Sequence, residues 1–295
     1  MNKFLTSLVE KQVIVADGAW GTMLQSDGLV AGSCPEMVAL DQPEMLLDIA
    51  RRYVAAGAEM IETNTFGASP LKLANYGREA DTEKINQAAA SLLKKNLPET
   101  VLVSGSCGPT GKLLQPYGTL DPDDAFQGFL RQVTGLAAGG VDLICVETMM
   151  DLTEAVLAVQ AGRQCDMTVI ATMTFTSGPN GYHTMMGQSV EECISVLTKE
   201  GVAAVGTNCG FGIKDMVKLV DEISAVSTIP VMIQANAGTP KMRQGEIHFP
   251  ESPEEYGAYI PTLLERKVRI IGGCCGTTPE YIARIRQEVD RFLMG

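Results

Sequence analysis

The chain has 295 residues, a hydrophobic fraction of 45 %, 20 % charged residues and a formal net charge of −12. That balance suits a globular protein with one large core or two modest ones. It disfavours disorder, and it disfavours a nucleic-acid partner, whose affinity comes from clustered Lys and Arg.

In chain order, short apolar runs alternate with longer amphipathic stretches. The runs are Val13–Ala16, Met60–Thr63, Val101–Ser104, Leu143–Val146, Val169–Met173, Ala203–Gly206, Val231–Gln234 and Arg269–Gly272. Each is rich in Val and Ile or bounded by Gly and Pro, and reads as a strand buried on both faces. The stretches between predict helices over Pro43–Ala56, Thr82–Lys95, Pro122–Ala138, Leu152–Arg163, Val190–Glu200, Lys214–Ala225, Pro253–Glu265 and Pro279–Phe292. Four of them carry Pro near the first turn, where the missing N–H costs nothing. Gly57, Gly139 and Gly201 follow helix ends, where glycine accepts the left-handed cap conformation.

Eight strand–helix units predict a (β/α)8 barrel, a single domain over residues 1–295. An open doubly wound sheet is the competitor; the count of eight and the polar strand ends favour closure. The longest uncharged stretch, Met167–Val190, is crowded with Thr, Ser, Gly, Pro and Asn, which do not suit hydrocarbon. The apolar patch Phe4–Val9 is too short for a secretory segment. Eight cysteines are too sparse for a disulfide scaffold, so reduced thiols in a cytoplasm are expected, with no membrane partner.

Chemistry in such a barrel is built at the carboxyl ends of the strands. Those positions hold Asp17, Glu62 with Asn64, Cys107, Glu147, Thr174, Cys209, Asn236, and Cys274 with Cys275. Groups of this kind are costly to bury unless paired or ligated. Cys34, Cys145, Cys165 and Cys193 read as small buried hydrophobes. The pair in Gly-Gly-Cys-Cys-Gly has no packing reason to be there; a thiolate zinc site with an open fourth position is the stronger reading although no CxxC pair is present, and a vicinal disulfide, which would strain the backbone, stays open. His183 and His248 fall in predicted loops and read as surface residues. Gly105–Lys112 fails as a phosphate loop on spacing. The 15 methionines are mostly core filler.

Asp17-Gly-Ala-Trp-Gly-Thr22, Glu62-Thr-Asn-Thr-Phe-Gly67, Gly108-Pro-Thr110, Glu147-Thr148, Thr207-Asn-Cys-Gly210, Asn236-Ala-Gly238 and Gly272-Gly-Cys-Cys-Gly-Thr-Thr-Pro279 together resemble the homocysteine S-methyltransferase family. Asn-Ala-Gly and Cys-Cys-Gly-Thr-Thr-Pro are most similar to the homocysteine-binding module of cobalamin-dependent methionine synthase. The resemblance implies one Zn2+ held by Cys209, Cys274 and Cys275, with homocysteine's sulfur in the open position. It implies that Glu147 and Asp17 bind the ammonium group and that backbone amides of glycine-rich loops take the carboxylate. Asn236 is a candidate substrate-free fourth ligand. Glu62 and Asn64 either contact substrate or brace the rim.

Trp20 and Cys107 depart from the family pattern, and a thiol at Cys107 is a candidate to face the site. One barrel consumes the chain, so methylcobalamin is expected on a separate corrinoid protein. S-methylmethionine or a betaine-like donor, another thiol acceptor, a homocysteine-binding module without catalysis, and a redox role for the cysteine pair are the alternatives.

Overall fold

A computed structural model describes residues 3–179, 181–243 and 246–295. All eight apolar runs are strands: β1 (Ile14–Val15), β2 (Met60–Glu62), β3 (Leu102–Cys107), β4 (Leu143–Met149), β5 (Val169–Met173), β6 (Ala204–Gly212), β7 (Val231–Asn236) and β8 (Val268–Gly273). They pair in parallel in the order β1-β8-β7-β6-β5-β4-β3-β2. The ring closes through a parallel bridge between Ala16 and Met60. Asp17 N donates to Met60 O at 3.0 Å, and Glu59 N to Val15 O at 2.7 Å, across the same seam. The expected (β/α)8 barrel is therefore the observed architecture.

Seven of the eight expected helices are continuous, among them Pro122–Ala138, Leu152–Gln164 and Val190–Lys199. Side chains of Asp121, Asp151 and Ser189 accept from first-turn amides and cap them. The expected helix Pro253–Glu265 is instead two, Pro253–Gly257 and Ile260–Glu265. Pro261 has no N–H to continue the ladder and its ring crowds the preceding turn, so the chain restarts there.

Alternation along the strands sorts side chains into two layers. Ile61, Val103, Ile144, Val205 and Ile233 pack outward against the helices, while Met60, Leu102, Leu143, Ile170, Met232 and Ile270 fill the bore. Cys107 belongs to the outer layer and is fully buried there. Strand alternation thus turns it away from the site, against its expected candidacy to face it. Phe4 and Leu8 join the bore cluster, because a helix the sequence reading did not anticipate, Lys3–Lys11, plugs the amino end of the barrel. Lys3 Nζ donates to Val101 O at 2.8 Å, and Lys11 pairs with Glu59 at 2.8 Å.

At the carboxyl end, hairpins follow β5 (Thr176–Gly178 with Gly181–His183) and β7 (Lys241–Arg243 with Glu246–His248). His183 and His248 thus sit in short strands rather than in the expected loops. No helix among the described residues is long and apolar enough to cross a membrane.

Candidate metal and substrate site

Toward the carboxyl end the bore turns polar: Glu62, Ser106, Glu147, Thr172, Asn208 and Gln234 are all buried. The cysteines stand just beyond them. The β6–β7 register shifts between Asn208 and Gly212, and Cys209 and Gly210 take successive left-handed conformations with φ of 60° and 75°. A non-glycine residue held there costs free energy that the surrounding structure must supply, a pattern that clusters at functional sites. Cys274 and Cys275 leave β8 on a turn in which Thr277 Oγ1 donates to Cys274 O at 2.7 Å. Cys274 N donates to Ala235 O at 2.7 Å, and Ala237 N to Cys275 O at 2.9 Å, which ties the pair to the end of β7.

The three Sγ atoms lie within 4.8 Å of one another, with Cys209 and Cys275 4.0 Å apart. Tetrahedral zinc with Zn–S bonds of ~2.3 Å needs sulfurs ~3.8 Å apart, so the donor set fits zinc with little movement. Hydrogen bonds from Cys274 and then Cys275 draw the Cys209 thiol down to about 3. Donating to Cys209 pushes Cys274 well above the ordinary thiol range and Cys275 up to about 11. Asn236 beside Cys209 also lowers its thiol, and the buried Oδ1 of Asn236 has no hydrogen-bond partner.

Asn208 organises the ground between sulfurs and acids. Its Oδ1 accepts from Thr148 N and Thr172 Oγ1, both at 2.8 Å. Its Nδ2 donates to Thr148 Oγ1 at 2.8 Å and to Glu147 Oε2 at 3.3 Å, and lies 3.9 Å from Cys274 Sγ. Thr148 itself has φ of 58°, so the strand twists as Glu147 enters the site. Ser106 Oγ donates to Glu147 Oε1.

Three buried carboxyls converge here without a cationic partner among the described residues. Burial, reinforced by Glu147 and Asp17, pushes Glu62 well above the usual carboxylate range. Burial also raises Glu147, against the hydrogen bonds from Ser106 and Glu62. Asp17 is pushed up to about 8 by burial, opposed by hydrogen bonds from Glu62 N and Trp20. Asp17 Oδ1 and Glu62 Oε1 are buried with no hydrogen-bond partner. An unmet demand of this kind is costly unless a ligand meets it.

A cavity of about 280 Å³ joins these features. Glu62, Asn64, Glu147, Cys209, Cys274 and Cys275 line it, together with Trp20, Phe66, Ser106 and Thr148; no Lys, Arg or His does among the described residues. Asp17 and Asn236 are not in its wall: Asp17 sits behind Trp20 and Glu62, and Asn236 behind Cys209. Asn64 lines the wall but spends its Nδ2 on Pro35 O at 2.7 Å, which draws the segment after β1 over the mouth. Sequence reasoning missed the parts played by Asn208 and Ser106. Their signal was weak but present, since both are inward positions of strands that end at site residues.

Glycines let the walls close. A Cβ on Gly18 would stand 2.8 Å from Thr277 Oγ1, and one on Gly272 2.7 Å from Asp17 O. Both approaches leave no room for a side chain.

A parallel barrel with three thiols gathered beside buried acids at its carboxyl mouth has the layout of a barrel enzyme, whose chemistry is built at that face. The pattern of the homocysteine S-methyltransferase family matches residues 14–289, and the chain belongs to that family of methyltransferases. It is 29 % identical over 314 residues to a methionine synthase of Mycobacterium leprae, covering 98 % of this chain and 26 % of the relative. It is also 29 % identical over 305 residues to one of Mycobacterium tuberculosis, covering 97 % and 25 %. The chain therefore spans about a quarter of the length of these curated relatives. Crystal structures of the homocysteine methyltransferase MmuM from Escherichia coli share the fold. The metallated form gives a TM-score of 0.82 at 21 % identity, covering 97 % of this chain and 99 % of that one. The oxidized form gives 0.81 at 22 % with the same coverage.

Proposed function

We propose that this chain methylates the sulfur of homocysteine to give methionine, with one Zn2+ per chain held by Cys209, Cys274 and Cys275. The observation that carries this reading is one cavity that holds a cluster of soft sulfur donors at one end and a group of acids lacking cations at the other. A ligand that satisfies both carries a thiol and an ammonium group on one short chain. When bound, zinc supplies the positive charge that displaces the proton of a substrate thiol, which is otherwise mostly protonated at neutral pH and a poor nucleophile.

The chain's own residues do the rest. Glu62 and Glu147 face the ammonium; Asp17 behind them keeps its proton in the ligand-free site, with its pKa pushed up to about 8 by burial, and a cation arriving nearby favours its ionised form. Ser106 and Asn208 fix the Glu147 carboxylate, so that orientation is in place before substrate arrives. Backbone amides of the first helical turn, Trp20 to Thr22, which line the cavity, are the partners for the substrate carboxylate. The surrounding apolar walls, among them Trp20 and Phe66, keep water from the sulfur.

The proposed methyl donor is methylcobalamin held by a corrinoid-binding unit outside residues 1–295, and the likeness to methionine synthases, of which this chain matches about a quarter, supports it. The free thiols accord with a reducing compartment such as the cytoplasm. Metal analysis and turnover test the reading. The expected result is one zinc per chain, lost in Cys274→Ser, and methionine formed from homocysteine and methylcobalamin. A metal-free protein with intact thiols, or zinc-loaded protein that binds homocysteine and makes no methionine from any methyl donor, overturns it.

A further inference from the structure

We propose that Trp20 is a positioning residue for the amino group of the substrate: its indole N–H holds the carboxylate of Asp17 in place behind the cavity wall, so the preference for an amine-bearing thiol depends on it. The inference rests on the homocysteine reading above and deepens it. Asp17 is wholly buried yet does not line the cavity. Its Oδ2 accepts from Trp20 Nε1 at 2.9 Å and from Glu62 N at 3.0 Å, while Oδ1 has no partner. The indole is therefore the one side-chain donor to this carboxylate among the described contacts.

Geometry gives Trp20 a second hold on the site. It opens the helix Trp20–Ser26, its ring packs into the outer core with 9 % of its surface exposed, and that remainder lines the cavity. The ring is thus wedged between rigid neighbours, and its N–H has a fixed direction. This donor works against burial and favours the ionised form of Asp17. Glu147 and Glu62 each repel Asp17 by like charge, and Tyr53 feels it from the helix outside. No cation among these neighbours opposes the repulsion, so neutral donors hold the carboxylate. Phenylalanine at position 20 keeps most of the packing and loses the donor.

The test compares two thiols on the zinc-loaded full chain by calorimetric titration: L-homocysteine, and 4-mercaptobutanoate, which lacks the amino group. Trp20→Phe is expected to weaken L-homocysteine binding about tenfold and leave 4-mercaptobutanoate within about twofold. Asp17→Asn is expected to do the same, and the double variant to lose no more than Asp17→Asn alone. Equal losses for both thiols, or losses that add in the double variant, overturn the proposal, because they mark Trp20 as packing only. A wild-type protein that binds neither thiol would instead overturn the homocysteine reading. A second measurement needs no change at position 20. Trp20 is the sole tryptophan, so Asp17→Asn is expected to shift the emission maximum of the protein, and an unchanged spectrum breaks the link.

Discussion

The two ends of the barrel are built from opposite materials. At the amino end, Phe4 and Leu8 close the bore over Leu102, Leu143, Ile170 and Met232, and the polar groups outside it are ordinary ion pairs such as Lys94–Asp142 at 2.8 Å. Two to four residues beyond Met60, Leu102 and Leu143, the bore holds Glu62, Ser106 and Glu147, with left-handed backbone at Thr148 and Cys209. Burying apolar surface contributes roughly 25 cal/mol per Å², and uncompensated polar burial costs free energy. The lower layer therefore offsets what the upper layer spends on readiness for a ligand. Stability and chemistry are separated along one set of strands, and substitutions should divide accordingly.

The largest effect belongs to the sulfurs. Cys209→Ser is expected to lower turnover at least about 10³-fold, several kcal/mol of lost charge stabilisation. Its unfolding midpoint in metal-free protein should stay close to that of the metal-free parent, since the side chain carries no core packing. Phe4→Ala is the counterpart at the other end. Truncating a fully buried ring there is expected to cost about 3 kcal/mol in denaturant unfolding while kcat and KM stay within about twofold. A stability loss at Cys209 with full turnover, or a turnover loss at Phe4 with full stability, would break the division.

Asn208 stands between the two regimes. Asn208→Ala strips partners from Thr172, Thr148 and Glu147 at once, so both readouts should move: about 2 kcal/mol of stability and about tenfold in kcat/KM for homocysteine. Loss of stability alone would mark Asn208 as a brace without bearing on the substrate acid.

Titration sharpens the contrast further. Burial raises Asp17 from an ordinary 3.8 to about 8, so between those values the folded chain keeps a proton that the unfolded chain releases. Stability then falls as pH rises from about 4 toward 8, because the unfolded state binds fewer protons. Glu62 and Glu147 shift in the same direction. Asp17→Asn should remove its share of that slope, so the variant loses less stability than the parent between pH 5 and pH 8 in denaturant titrations. Parallel slopes in the two proteins would mean that Asp17 is ionised throughout.

The division also explains what could be read from residues alone. β1 to β8 were legible because double-sided burial forces continuous Val and Ile runs, and Cys274–Cys275 stood out because two thiols among glycines serve no packing purpose. The plug Lys3–Lys11 was not legible, since its apolar face is like that of any short amphipathic helix and its target is formed by strands far away in sequence. The withdrawal of Asp17 behind Trp20 likewise depends on a helix turn folding back three residues later, a tertiary fact. Asn64 was legible as a rim residue, yet its partner Pro35 lies on a segment without periodic pattern.

That partner sets the smallest effect. Pro35 and Glu36 form part of the cavity wall, and two bonds hold them there: Asn64 Nδ2 to Pro35 O at 2.7 Å, and Gly67 N to Glu36 Oε1 at 2.8 Å. Asn64→Ala removes the first and leaves the second, so the segment stays attached but loses about 1 kcal/mol of its hold. A wall that closes less often reduces binding without touching the reacting sulfur. KM for homocysteine should rise about fivefold, the equivalent of that free energy, with kcat retained. If instead kcat falls and KM stays, Asn64 acts on the reacting groups rather than on the segment, and the bracing role assigned by its bond to Pro35 is wrong.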